Sequence, residues 1–114
     1  MKIASYEDTQ PQAITEQGAS GVSVRWVIAE EDRAPNFFMR VFHVEPGGYT
    51  PIHEHAWEHE VFVLDGNGNV LKSGEQVPIA RGDVVFVAPD ENHQFKNTGS
   101  GTLTFICVIP RPSS

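Results

Sequence analysis

The chain has 114 residues, enough for one compact core and too few for a second sizeable one. Fifteen Asp and Glu against eight Lys and Arg give a formal net charge of -7. Lys and Arg are nowhere clustered, which argues against nucleic acid or an anionic membrane as partner and leaves a small molecule as the expected ligand.

The start, "MKIASYEDTQ", contains one lysine but no apolar run to serve as the centre of a signal peptide. The first seventeen residues carry little periodicity. Within them "TQPQAITEQ" reads as an extended arm, either a loose terminus or a segment that pairs with a partner subunit. Beyond the arm, ten Gly and eight Pro are spread at intervals that would interrupt helices repeatedly, so strands are expected.

They fall where β-branched and aromatic residues lie between turn signals: "VSVRWVIA" (22–29), "NFFMRVFHVE" (36–45), "HEVFVLD" (59–65), "NVLKS" (69–73), "QVPIA" (76–80), "DVVFVA" (83–88), "HQFKN" (93–97) and "TLTFICVIP" (102–110). Turns are expected at "EPGG" (45–48), "DGNGN" (65–69), "ARGD" (80–83), "APDEN" (88–92) and "NTGSG" (97–101). Short strands at this spacing imply an all-β fold, a small antiparallel sandwich or barrel. The longest apolar runs, "VVFVA" and "FICVI", are far shorter than the ~20 residues of a membrane helix. Cys107 stands alone, so no disulfide framework exists within the chain, and a reducing cytoplasm suits it.

"HEHAWEHE" (53–60) concentrates His53, His55 and His59 with Glu54, Glu58 and Glu60. On a strand His53 and His55 would share a face about 6.6 Å apart, a spacing that suits two ligands of one metal. His59 would stand ~13 Å from His55 on a straight strand, so the chain must bend at Ala56, Trp57 and Glu58 for it to join them. The glutamates alternate with the histidines and should point elsewhere. The bland alternative is a solvated acidic turn. His93, at the start of "HQFKN", would alone read as structural; beside the cluster it becomes the candidate fourth ligand.

With these residues in view, the chain resembles the cupin superfamily. That family's first motif is a glycine, five residues, His-x-His, three or four residues, a glutamate, six residues and a glycine. Gly47, His53, His55 and Gly66 fit this pattern, with His59 at the position the count gives to glutamate and Glu60 next to it. In the second motif Gly82 lies eleven residues before His93 and Asn97 four after it; Pro89 is displaced by one, and Asp90 takes the place of the turn glycine. Residues 18–114 are therefore expected to form a cupin domain, a double-stranded β-helix or jelly roll, with residues 1–17 as an arm exchanged in a homodimer.

The resemblance is strongest to small bacterial manganese cupins with four-histidine sites. It implies one divalent ion on His53, His55, His59 and His93, manganese first and iron next, with Glu60 as a supporting group or alternative ligand. Imidazole alone also suits Ni, Cu, Co and Zn. Pocket-lining positions are expected at Phe105 and Cys107, which share a face of the last strand, at Trp57 in the bend, and at Arg40. Arg40 reads as a surface arginine, with cavity-facing recognition of an anion as the alternative. Cys107 reads as a small buried hydrophobe or, alternatively, an oxidisable pocket thiol. His43 lies outside both motifs and receives no role.

No serine or cysteine nucleophile with a base, and no phosphate loop, is apparent. The expected function is metal-dependent, dioxygenase-like oxidation of a small organic substrate. The alternatives are a Lewis-acid isomerase or lyase and a non-catalytic binding module.

Overall fold

The computed structural model describes residues 1–112. Ser113 and Ser114, the last positions of the expected 18–114 domain, lie outside the described residues. Among the described residues nine strands form one curled antiparallel sheet: β1 (Gln12–Ala13), β2 (Ser20–Ile28), β3 (Phe37–Tyr49), β4 (His59–Asp65), β5 (Asn67–Lys72), β6 (Glu75–Ala80), β7 (Val84–Val87), β8 (Phe95–Asn97) and β9 (Leu103–Pro110). The spatial order is β6-β5-β8-β3-β9-β4-β7, with β2 also paired to β3 and β1 to β2. The expected all-β jelly roll is thus the observed architecture.

Alternation with period 2 makes the interior. Val22 and Val24 of β2, Phe38, Phe42 and Val44 of β3, Val61 and Val63 of β4, and Leu103, Phe105, Cys107 and Ile109 of β9 are all buried in one cluster. Val44, Val63 and Leu103 are 0% exposed and Phe105 1%, so removing any one forfeits about 1.5–3 kcal/mol of burial plus the cost of the void. Phe105 stacks on Phe42 at 5.2 Å and on Phe95 at 4.7 Å, centroid to centroid. This aromatic layer is the floor on which the site rests.

Two local expectations need correction. "EPGG" was expected to end a strand, yet β3 runs through it to Tyr49. Gly47 takes φ 78°, and the register with β2 shifts between Ser20 and Val22, so the glycines bulge and bend the strand without stopping it. His53 and His55 were expected on a strand, but they lie in the loop between β3 and β4. Pro51 offers no N–H to continue the ladder, and only His53 makes an isolated bridge, to His93. The bend at Ala56 and Trp57 is present.

Residues of the arm lie along the chain's own sheet. β1 pairs with β2, Ile14 N–H donates to Val22 O at 2.9 Å, and the Ile14 side chain packs against the core. On the outer face Arg25 donates to the carbonyls of Glu7 and Thr9 at 3.2 and 2.6 Å.

Where β4 turns into the start of β5 the backbone passes so close to its neighbours that side chains are excluded at two glycines. A Cβ at Gly66 (φ 93°) would stand 2.6 Å from Thr102 O, and one at Gly68 would meet Lys96 O, with Leu103 Cδ2 2.8 Å away.

Candidate metal centre

Backbone bonds bring the histidine loops together. His53 N–H donates to His93 O at 3.0 Å and His93 N–H returns the bond to His53 O at 2.8 Å. Thr50 reinforces the junction: its N–H donates to Phe95 O and its Oγ1 accepts from Phe95 N–H, both at 2.9 Å, while the buried Gln94 amide donates to Thr50 O. Asp90, left-handed at φ 65°, turns the second loop so that its N–H reaches His55 O. This is the turn position where aspartate replaces glycine.

His55, His59 and His93 each offer a ring nitrogen within 4.8 Å of the others. The ring of His53 lies 5.0 Å from that of His55, but its Nε2 contacts Glu16 Oε2 at 2.5 Å. The structure therefore assembles three of the four expected ligands and sets the fourth beside them, engaged by a carboxylate of the arm.

The donor chemistry fits a cation. His93 Nδ1 faces Glu91 O at 3.0 Å; a carbonyl only accepts, so the proton sits on Nδ1 and the Nε2 lone pair is free. His59 Nδ1 pairs with Cys107 Sγ at 3.3 Å, and its Nε2 is buried with no partner in the described residues. An orphaned imidazole nitrogen inside a ring of imidazoles is costly unless something fills the gap. Burial, then the neighbouring His93 and Arg40 charges, push the His59 pKa down to about 3. Burial likewise lowers His55 and His93, so the three rings are held neutral, the form that binds metal.

The cluster opens into a cavity of about 280 Å³ whose walls include Trp26, Arg40, Phe42, Phe95, Phe105 and Cys107. Phe105 and Cys107, on one face of β9, line it. Trp57 is at the rim, stacked on His55 at 4.6 Å and 7°. The surface reading of Arg40 is overturned: β3 alternation places it with Phe38 and Phe42 on the inner face. Its Nη2 donates to Cys107 Sγ at 3.2 Å. Glu60 is not brought to the cluster. It follows the inward His59 and so faces out, exposed, beside Glu58. Burial outweighs the Arg40 charge in raising the Cys107 pKa, which keeps it a thiol at neutral pH.

Glu16, Trp26, Phe42 and Thr50 were not anticipated. For Trp26 and Phe42 the signal was present, since each continues an inward alternation (22, 24, 26 and 38, 40, 42).

Residues 40–109 match the cupin domain family. The chain is 32% identical over 113 residues to the oxalate-binding protein of Thermotoga maritima, covering 96% of this chain and 93% of that one. Among solved structures it superposes on the polyketide cyclase RemF of Streptomyces resistomycificus with a TM-score of 0.92 and 32% identity, covering 98% and 80% of the two chains. A predicted oxalate decarboxylase of Thermotoga maritima gives 0.87 at 26% identity, covering 97% and 100%. With a family match over more than half of its length and a barrel shared with solved relatives, this chain belongs to the cupin family.

Proposed function

We propose that this cupin is a metal-dependent enzyme that acts on a small organic substrate, with dioxygenase-like oxidation as its reaction. The observation that supports it is the buried Nε2 of His59, partnerless among the described residues, beside the neutral rings of His55 and His93 in the cavity. His55, His59 and His93 would hold one divalent ion, with His53 as fourth ligand once Glu16 releases it. An ion on neutral imidazoles keeps its full charge and supplies Lewis acidity and, with manganese or iron, redox chemistry with dioxygen.

The chain's own residues do the rest. Glu91 O and Cys107 Sγ orient the rings of His93 and His59 through their Nδ1 atoms. The Phe42, Phe95 and Phe105 layer excludes water from the cavity floor. At about 280 Å³ the cavity lies just below the range of drug-sized clefts and suits a metabolite. A homodimer in the cytoplasm is part of this proposal. Exposed Phe62, Val84 and Phe86 on the outer face of β4 and β7 offer apolar surface for association, and light scattering at a monomer mass would remove the dimer.

Metal analysis of protein purified without chelator, followed by oxygen uptake over a panel of small carbonyl compounds and acids, tests the proposal. Stoichiometric metal with oxygen-dependent turnover is expected; product formed equally under argon would replace it with Lewis-acid catalysis. That second reading draws support from the likeness to a polyketide cyclase, which spans 98% of this chain and 80% of that one. Binding without product would favour the non-catalytic role that the name of the Thermotoga maritima relative describes for that protein.

A further inference from the structure

Arg40 presents a problem of charge. It lines the cavity, its Nε is buried without a partner, and its guanidinium lies over the rings of Phe42 at 4.8 Å and Trp26 at 5.3 Å. The ion pairs among the described residues are Lys2–Asp32, His53–Glu16 and Arg111–Glu30, so no carboxylate compensates it. Glu16, which lines the same cavity, is engaged with His53. The hydrogen bond from Nη2 goes to the neutral Cys107 thiol. A cation partly buried against aromatic walls without a counter-charge is unfavourable, and an anion that enters the cavity reduces the penalty. Stacking on two aromatic faces fixes the plane of the guanidinium, and a fixed fork of N–H donors matches a carboxylate.

We propose that Arg40 determines substrate class: the cavity takes a small, flat organic carboxylate, its charged end on Arg40 and a second oxygen turned toward the histidines. The second contact rests on the metal reading given above; the first does not. Arg40 Nη2 and His59 Nδ1 both meet Cys107 Sγ, at 3.2 and 3.3 Å, so the anchor and the histidine cluster flank one sulfur. A cavity of about 280 Å³ holding both groups takes a compact acid with a second oxygen-bearing group, such as a 2-oxo acid or a short dicarboxylate. Trp26 and Phe42 select flat over bulky ligands.

The experiment is calorimetric titration with oxalate and its neutral isostere oxamide, and with pyruvate and pyruvamide, at about pH 8, where imidazoles are neutral. It uses manganese-loaded and chelator-stripped protein, wild type and Arg40→Gln, with metal content and far-UV spectra as controls. In wild type the acids should bind on the order of tenfold or more tighter than the amides in both metal states. In stripped Arg40→Gln that preference should collapse, while the metal content of the loaded variant stays unchanged. Arg40 is the sole Lys or Arg lining the cavity among the described residues, so stripped wild type reads the anchor alone even if the variant misfolds. Equal binding of acid and amide by stripped wild type, or a preference that survives in stripped Arg40→Gln, overturns the proposal. Protein that takes up neither manganese nor iron yet keeps the Arg40-dependent preference refutes the metal reading and sustains this one.

Discussion

His59 and His43 stand on opposite faces of the same sheet, and burial lowers the pKa of both. His43, on the outer face of β3, is satisfied at both nitrogens: Nε2 accepts from Arg25 Nε at 3.0 Å and Nδ1 pairs with Thr104 Oγ1 at 3.2 Å. His59, inside, has one nitrogen on Cys107 and the other on nothing among the described residues. Desolvation is common to both, so it does not distinguish a ligand from a clamp. The partnerless nitrogen does, together with the two further rings that converge on it.

Substitution breaks the contrast most directly. His59→Ala or His93→Ala should weaken metal binding by more than ~100-fold, because each removes a direct ligand whose orienting partners alone are worth about 10–100-fold. His43→Ala should leave metal content unchanged and cost about 1–2 kcal/mol of stability through lost hydrogen bonds. Metal titration and urea unfolding on the three variants check this; equal metal loss in His43→Ala would erase the distinction.

Acid should act next most strongly, on the metal-free protein. The unfolded chain protonates a histidine near 6.5, whereas folded His59 resists until about 3. The unfolded state thus binds more protons across that window, so stability is complete above about 6.5 and declines as pH falls through it. His43 is lowered too and contributes with the same sign. Urea midpoints near neutral pH and near pH 5 read the slope, which should flatten in His59→Gln.

Cys107→Ala removes the partner of His59 Nδ1 and should lower metal affinity by about 10–100-fold, with His59 still present. An unchanged affinity would mean that packing alone orients the ring. The smallest effect belongs to Glu16→Gln. The Glu16–His53 pair is partly exposed, so its loss should shift stability by less than about 1 kcal/mol. Freed from it, His53 should raise metal affinity modestly, which the same titration detects.

Legibility in the sequence followed the strength of local signals. "HEVFVLD" coincides with β4 and "TLTFICVIP" begins one residue before β9, because strict alternation of β-branched and apolar residues admits one reading. "EPGG" misled because a Pro-Gly-Gly run signals a turn and a bulge alike, and only the pairing of Ser20 with Tyr49 separates them. In the site, spacing within "HEHAWEHE" and the match to a family pattern led to His55, His59 and His93. Glu60 satisfied a count along the chain but failed the test of alternation. Arg40 sat in an inward register all along, yet a charged residue defaults to solvent unless something compensates its burial. Glu16 had no local signal at all, since its place depends on how the arm lies across a loop thirty-odd positions away.

Gly68 carries a warning about how such a protein reads under mutation. Its missing side chain leaves room for Lys96 O and for Leu103, the buried start of the strand that leads on to Phe105 and Cys107. Even alanine there must displace backbone or shift Leu103. In a saturation screen scored by activity, Gly68 would rank with the histidines as intolerant, although it touches neither ion nor substrate. Scoring the same library for soluble abundance separates the two classes: histidine variants should persist as folded, inactive protein, whereas Gly68 variants should disappear from the soluble fraction.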